Sequence, residues 1–402
     1  MTVHIVVGSS FGDCGKGRFI DVLAEKSDLV VRTNGGPNAG HTIIVGERKL
    51  VFRLVPSGVL HPKTVCVLGH GTVLDPYVFN AEVNKLQNIG INLKNRLFVS
   101  DSAHLIMPYH IKADSTDTII GTTKKGIGPC YQDKMARTGI RIGELKNNKV
   151  YGKASLNNRK WYPYHTRDSL KKYLEFSKMV FSPFITNTSN LINDSLDRNE
   201  NILLEGAQGS LLDIDCGTYP FVTSSSTTAT GICAGAGIGP TQVNLVMGVL
   251  KAYVTRVGSG PFPTEIEGEV GNRIRTIGGE FGSVTGRPRR VGWLDLPALR
   301  YAARINGMNC LAIAKLDVLS EFDEIKICDS YKREFDINNL PNPNEVNYVS
   351  FKSWPKEIEN VREFSKLPNA AIEFIRYIED KIKIPITMIS VGPERNQLIT
   401  LC

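Results

Sequence analysis

The chain has 402 residues, and 48 Lys and Arg against 40 Asp and Glu give a formal charge of +8. With 42% hydrophobic and 22% charged residues it falls in the range of ordinary globular proteins, which excludes global disorder, collagen and coiled coil; the length admits two or three domains or one large α/β body. No apolar run reaches the roughly 18 to 20 residues that span a bilayer. Ile5-Val6-Val7 is too short for a signal-peptide core and lacks a basic lead-in, so a cytoplasmic location is the expectation.

In chain order, His4 to Val7 is an apolar run ending at Gly8, followed by a glycine-rich turn and a helical pattern from Lys16 to Lys26; this reads as strand, loop, helix. Leu29-Val30-Val31 and Val65 to Leu68 predict buried strands, and Pro76 to Gln87 predicts a helix. Further strands are expected over Asn201 to Leu204, Val243 to Leu250, Leu311 to Ala314 and Ile386 to Ser390, with a helix over Asn369 to Lys383. Such alternation predicts an α/β fold with a large, mostly parallel central sheet flanked by helices. Lys146 to Tyr164 and Asp336 to Pro355, rich in Asn, Lys and Pro, look least like a packed core. From Lys146 to Lys178 there are nine Lys or Arg against two acids; this basic stripe reads as a solvated surface segment, nucleic acid being the less favoured partner. The eight cysteines show no CxxC spacing and predict reduced thiols rather than a zinc or redox site.

The first loop, Gly8 to Arg18, sits between a strand and a helix N-terminus, where backbone N–H groups and the helix dipole favour phosphate. It is not a Walker A motif, because Ser10 and Gly17 stand where that motif needs a glycine and a Ser or Thr. Asp13 inside this turn would repel phosphates unless it binds Mg²⁺ or transfers a proton; the alternative is an Asp capping the helix. A second loop, Asn34 to Thr42, is a tight Gly-rich backbone able to place His41 near a ligand. Three more polar loops follow: Gly121 to Pro129, Glu205 to Gly209 with Tyr219 to Ser225, and Thr285 to Arg290. Their Gly, Thr and Gln suit hydrogen bonding to phosphate and base, and the arginines suit phosphate or carboxylate clamping, though each loop alone could be ordinary. Ala314-Lys315-Leu316-Asp317 matches three positions of a guanine motif in which the carboxylate accepts from the base N1–H and 2-amino group, the alternative being a strand-end salt bridge.

Together these segments resemble the adenylosuccinate synthetase family, GTP-dependent ligases that join IMP to L-aspartate in adenine nucleotide synthesis. The resemblance runs from Gly8 to Pro393 and is densest over Glu205 to Ser225, Gly231 to Pro240, Gly258 to Glu265 and Gly292-Trp-Leu-Asp295; it is weakest over 146–200 and 332–365. It implies one body over 1–402 with a P-loop-like GTP-binding core, peripheral loops and small subdomains. It further implies GTP as co-substrate, one Mg²⁺ per active site, and a homodimer; the absence of a long apolar run argues against a membrane partner, and a nucleic-acid partner is the least favoured reading. By the resemblance Asp13 is the base that removes the N1 proton of IMP and, with the carbonyl of Gly40, a Mg²⁺ ligand. His41 stabilises the transferring phosphoryl group, and Lys16 and Gln208 complete the catalytic set. Gly12, Gly15, Lys16, Gly17 and Arg289 would hold GTP phosphates, with Lys315, Asp317, Ser390 and Gly392 around guanine. IMP would meet Asp13, Asn38, Thr123, Gln208, Thr223, Arg287 and, from the neighbouring subunit, Arg137; aspartate would meet Thr285 and Arg287.

The chain departs from the family at Phe11 for tryptophan, Cys14 for glutamate, and Val284 and Ala314 for threonines. Losing the glutamate removes a negative charge beside the phosphate loop, and Val284 removes a hydroxyl. Two other readings stand beside IMP ligation. A specialised paralogue would use another 6-oxopurine nucleotide such as dGMP, but that phage branch lacks the loop aspartate. A GTP-binding switch without ligation has no need of the His41 loop or the second arginine cluster.

Overall fold

The apolar runs fold as one ten-stranded sheet in the computed structural model, which describes residues 2–45, 48–116, 119–161, 165–282 and 286–401. From edge to edge the strands are Leu398–Thr400, Ile386–Ser390, Cys310–Ala314, Leu245–Lys251, Val3–Gly8, Ile202–Glu205, Leu29–Arg32, Val65–Leu68, Leu97–Ser100 and Ile185–Thr186. Only the edge strand Leu398–Thr400 runs antiparallel. A parallel sheet is covered by helices on both faces, so its strands are apolar on both sides. Accordingly Val3, Ile5 and Val7 enter one core cluster and Val6 the other, and Val31 and Val30 divide the same way.

The chain lays strands outward on one side as far as Ile185–Thr186, returns to insert Ile202–Glu205 beside Val3–Gly8, then builds the other side. That reversal is a topological switch point, where ligands bind beyond the carboxyl ends of strands. The loops after Gly8, Arg32, Glu205, Ala314 and Ser390 all leave such ends.

Three strands of this sheet escaped the sequence reading, Leu97–Ser100, Ile185–Thr186 and Leu398–Thr400; all lie at or next to its edges. So did a second, four-stranded sheet made of Tyr253–Arg256, Arg290–Asp295, Ile325–Tyr331 and Val346–Phe351. Within the Asn-rich basic stretch, Val150–Trp161 is a helix. Its Asn157 and Asn158 amides are buried and donate to the carbonyls of Thr138 at 2.9 Å and His165 at 3.0 Å. Residues 162–164 lie outside the described ones. No described helix is long and apolar enough to cross a membrane.

The stretch Asp336 to Pro355 also packs more than its composition predicts. Trp354 is 2% exposed, stacks edge-on to Phe374 and donates its indole N–H to the Leu316 carbonyl at 3.0 Å. It therefore supports the Lys315 to Asp317 turn from below. Trp354→Ala is expected to cost about 3–5 kcal/mol, read by urea denaturation; a loss under about 1 kcal/mol would show the segment to be a surface strap.

Candidate active site

Residues from five loops surround one cavity of about 1600 Å³. At its floor the phosphate loop turns through Gly12, Asp13 and Gly15, all at positive φ. Gly15 precedes the helix Lys16–Ala24, and no side chain caps that helix. Asp13 is therefore not the cap, and the helix N-terminus stays open to an anion. Gly17 is required by packing, since a Cβ there would stand 2.7 Å from the His41 Cβ. Lys16 is buried, donates to the Gln208 carbonyl and lies 3.6 Å from the Cys14 sulfur.

His41 begins the strand His41–Val45 of a small hairpin and binds Glu205 through Nδ1. Glu205 is fully buried; its carboxylate also accepts from the Ser57 N–H at 2.9 Å and lies 3.8 Å from Arg32. Burial pulls His41 below its ordinary pKa, more than Glu205 raises it. Burial opposes the charge on Glu205, but His41 and Arg32 hold it below the usual carboxylate value. The pair is thus a neutral imidazole with its Nδ1–H on an ionised carboxylate, leaving Nε2 for a ligand. Sequence reading gave Glu205 no role, although a carboxylate closing the apolar run Ile202-Leu203-Leu204 was the available sign.

Asn34 ties the loops together: its amide oxygen accepts from the Ala207 N–H at 2.9 Å and its amide nitrogen donates to Ser225 Oγ at 3.3 Å. Asn38, Gly40, Thr123, Gln208 and Thr223 join the same cavity wall, and the Gln208 amide oxygen is buried without a hydrogen-bond partner. At the other end Lys315, Asp317, Ser390 and Gly392 converge. Asp317 Oδ1 is also buried and unpartnered, and burial pushes its pKa up to about 6. Lys315 does form a salt bridge, but with Glu280 at 2.8 Å, so that alternative and the guanine reading share one residue. Between the ends Arg289 pairs with Asp13 at 3.0 Å and with Glu280 at 2.6 Å. Sequence reading missed Glu280 altogether.

Two expected residues lie outside this lining. Arg287 is exposed, and Arg137 is exposed with φ +63. Thr285 and Val284 fall outside the described residues. Among the other departures, Ala314 packs its methyl toward Gly15, and Phe11 stacks edge-on to Phe262 with the Arg256 guanidinium 4.2 Å from its centroid.

A family model described as adenylosuccinate synthetase matches residues 5–399. The adenylosuccinate synthetase of Sorangium cellulosum is 46% identical, covering 99% of this chain and 98% of that protein. That of Carboxydothermus hydrogenoformans is 46% identical over 100% and 99%. The solved structure of fully ligated adenylosuccinate synthetase from Plasmodium falciparum superposes with a TM-score of 0.93 at 38% identity, covering 100% of both chains. A cyanophage S-2L succinoaminodeoxyadenylate synthetase bound to dGMP and dATP reaches 0.67 at 19% identity over 99% and 95%, a likeness of fold alone. The chain belongs to the adenylosuccinate synthetase family, the GTP-dependent ligases that join IMP to L-aspartate in purine nucleotide synthesis.

Proposed function

We propose that the cavity binds GTP, IMP and L-aspartate together and ligates the last two through a 6-phosphoryl-IMP intermediate. The observation that carries this is one continuous cavity with a guanine-type carboxylate at one end and Asp13, His41 and an uncapped helix at its centre. Its volume of about 1600 Å³ exceeds the roughly 300–1,000 Å³ of a single small-molecule pocket, as two nucleotides and an amino acid require.

Asp13 takes the N1 proton of IMP, which moves electron density to O6. O6 attacks the γ-phosphoryl group, GDP leaves, and the aspartate amine then displaces phosphate at C6. Phosphoryl transfer depends on positioning and charge stabilisation, which Lys16, Arg289 and the helix N-terminus supply. A triphosphate beside His41 favours the imidazolium, so that Nε2–H donates to the transferring group. Asp13 is free to act once Arg289 turns to the nucleotide. Asn38, Thr123, Gln208 and Thr223 hold IMP, Arg287 and Thr285 serve aspartate, and Arg137 reaches the active site of a homodimer partner.

Mg²⁺ fits the donors present. The described residues hold no cluster of three or more His, Cys, Asp or Glu, so the protein offers only part of a coordination shell. Mg²⁺ keeps waters and is usually bound by one or two carboxylates plus substrate phosphates, which the Asp13 carboxylate and the Gly40 carbonyl suit. Bound there, the ion would neutralise charge on the phosphates. The family match over 5–399 supports one body over 1–402, and a cytoplasmic location goes with the reading as a purine-nucleotide ligase.

The test is an assay with GTP, Mg²⁺ and aspartate that compares IMP with dGMP and follows phosphate and succinylated product by mass. Product with IMP alone is expected. Product with dGMP would move the reading to the specialised branch, and phosphate release without IMP and aspartate would favour a switch.

Guanine recognition carries its own pH dependence. Only ionised Asp317 accepts from both guanine N–H groups, and burial has raised it to about 6. GTP binding near that pH therefore releases a proton, and the KM for GTP is expected to rise roughly tenfold per unit as pH falls below about 6. Asp317→Asn loses a charge-assisted hydrogen bond of about 1.5–3 kcal/mol. It should raise the GTP KM roughly 10- to 100-fold, remove that pH dependence and favour xanthosine triphosphate, whose 2-oxo group accepts from the new amide. An unchanged KM for GTP would remove Asp317 from the guanine site.

A further inference from the structure

Behind the nucleotide end of the cavity, one fully buried carboxylate gathers three cations. Glu280 Oε1 accepts from Lys251 Nζ at 2.8 Å, Lys315 Nζ at 2.8 Å and Tyr253 OH at 2.5 Å, and Oε2 accepts from Arg289 Nη1 at 2.6 Å. The partners divide into two kinds. Lys251 and Tyr253 are buried and out of reach of a ligand, with Lys251 tied also to Thr255 Oγ1 at 2.7 Å. Lys315 and Arg289 line the cavity and are respectively 30% and 11% exposed in their side chains. Through Arg289 the chain of contacts continues to Asp13.

A buried carboxylate stripped of partners is strongly destabilising. Here Lys251 and Tyr253 remain when a ligand draws the other two away, so Lys315 and Arg289 can move without orphaning Glu280. Burial opposes its charge, yet Lys251, Lys315 and Arg289 hold it well below the usual carboxylate range. The three cations thus favour the ionised carboxylate, the form that accepts from all of them. Backbone carbonyls keep the frame in register: the Arg289 main-chain N–H donates to the Glu280 carbonyl at 2.9 Å, and the Lys315 ammonium also donates to the Gly278 carbonyl.

We infer that Glu280 is a positioning residue that aligns Lys315 over the guanine subsite and Arg289 over the phosphate subsite from one anchored carboxylate, linking guanine occupancy to release of Asp13 by Arg289. The inference rests on the GTP-dependent reading above and extends it. It makes the two cations a coupled unit, and contacts sharing a partner give non-additive effects.

The experiment uses the full-length wild-type chain with E280Q, K315M and the E280Q/K315M double variant. It measures kcat and the KM for each substrate, GDP affinity by calorimetry, and melting by circular dichroism. E280Q is expected to weaken GDP and raise the GTP KM at least tenfold, lower kcat, and leave the IMP KM within twofold. K315M should cost much less in the E280Q background than in wild type. Should E280Q fail to fold, E280Q/K251M removes a cation together with the anion and is read the same way. Unchanged GDP affinity, an equal rise in all three KM values, or independent effects of E280Q and K315M would overturn the inference. A wild-type chain that makes no product would defeat the ligase reading alone, because GDP calorimetry still tests Glu280.

Discussion

Asp13→Asn is expected to lower kcat for ligation by roughly 10²- to 10⁴-fold, the usual contribution of a general base, with little change in stability. The side chain is a third exposed, and its described ion-pair partner is Arg289 at 3.0 Å, a partly solvated pair of the kind worth about 0–1 kcal/mol. Arg289 keeps Glu280 when that pair is lost. Asp13 occupies left-handed backbone at φ +51, and asparagine adopts that conformation as readily, so the substitution adds no strain. The amide can still accept a hydrogen bond but cannot take the N1 proton. A variant with near-normal kcat and an unchanged melting curve would remove Asp13 from the role of base.

His41→Ala is expected to lower kcat by roughly 10²- to 10³-fold, the loss typical of one donor to a developing negative charge. It also carries a folding cost. His41 is 8% exposed and binds the buried Glu205 carboxylate, which among the described residues then keeps Ser57 and Arg32; a missing partner of this kind costs about 1–3 kcal/mol. Glu205→Gln separates orientation from presence. It retains the imidazole but removes the charge that holds Nδ1–H and supports the imidazolium, so single-turnover phosphate release should slow although His41 remains. Normal turnover in His41→Ala would exclude the residue from transfer, and normal turnover in Glu205→Gln would show that packing against Gly17 alone orients the ring.

Local chemistry in the chain carries much of this protein. The apolar runs near residues 4, 29, 65, 201, 245, 311 and 386 are buried strands because parallel strands covered on both faces must be apolar throughout. The glycine-rich turn at 8–17 and the 34–42 loop are legible because positive φ and close approach restrict the residue type. The Lys315 to Asp317 turn is legible because a guanine-type carboxylate follows a buried strand directly. Short edge strands such as Ile185–Thr186 are not legible, since two residues hold no periodicity. Trp354 was hidden because an Asn- and Pro-rich neighbourhood says nothing about what one aromatic ring packs upon.

Tertiary structure alone decided the partners. His41 and Glu205 are 164 positions apart, and Lys16 and Gln208 are 192 apart; no local pattern joins them. Crossover connections in a parallel sheet bring carboxyl ends of remote strands side by side at the switch point. Glu280 shows the same limit more sharply: an acidic residue in a Gly-rich loop reads as solvated. Only the packing of Lys251 and Tyr253 from one stretch, and of Arg289 and Lys315 from two others, makes a buried anion there stable.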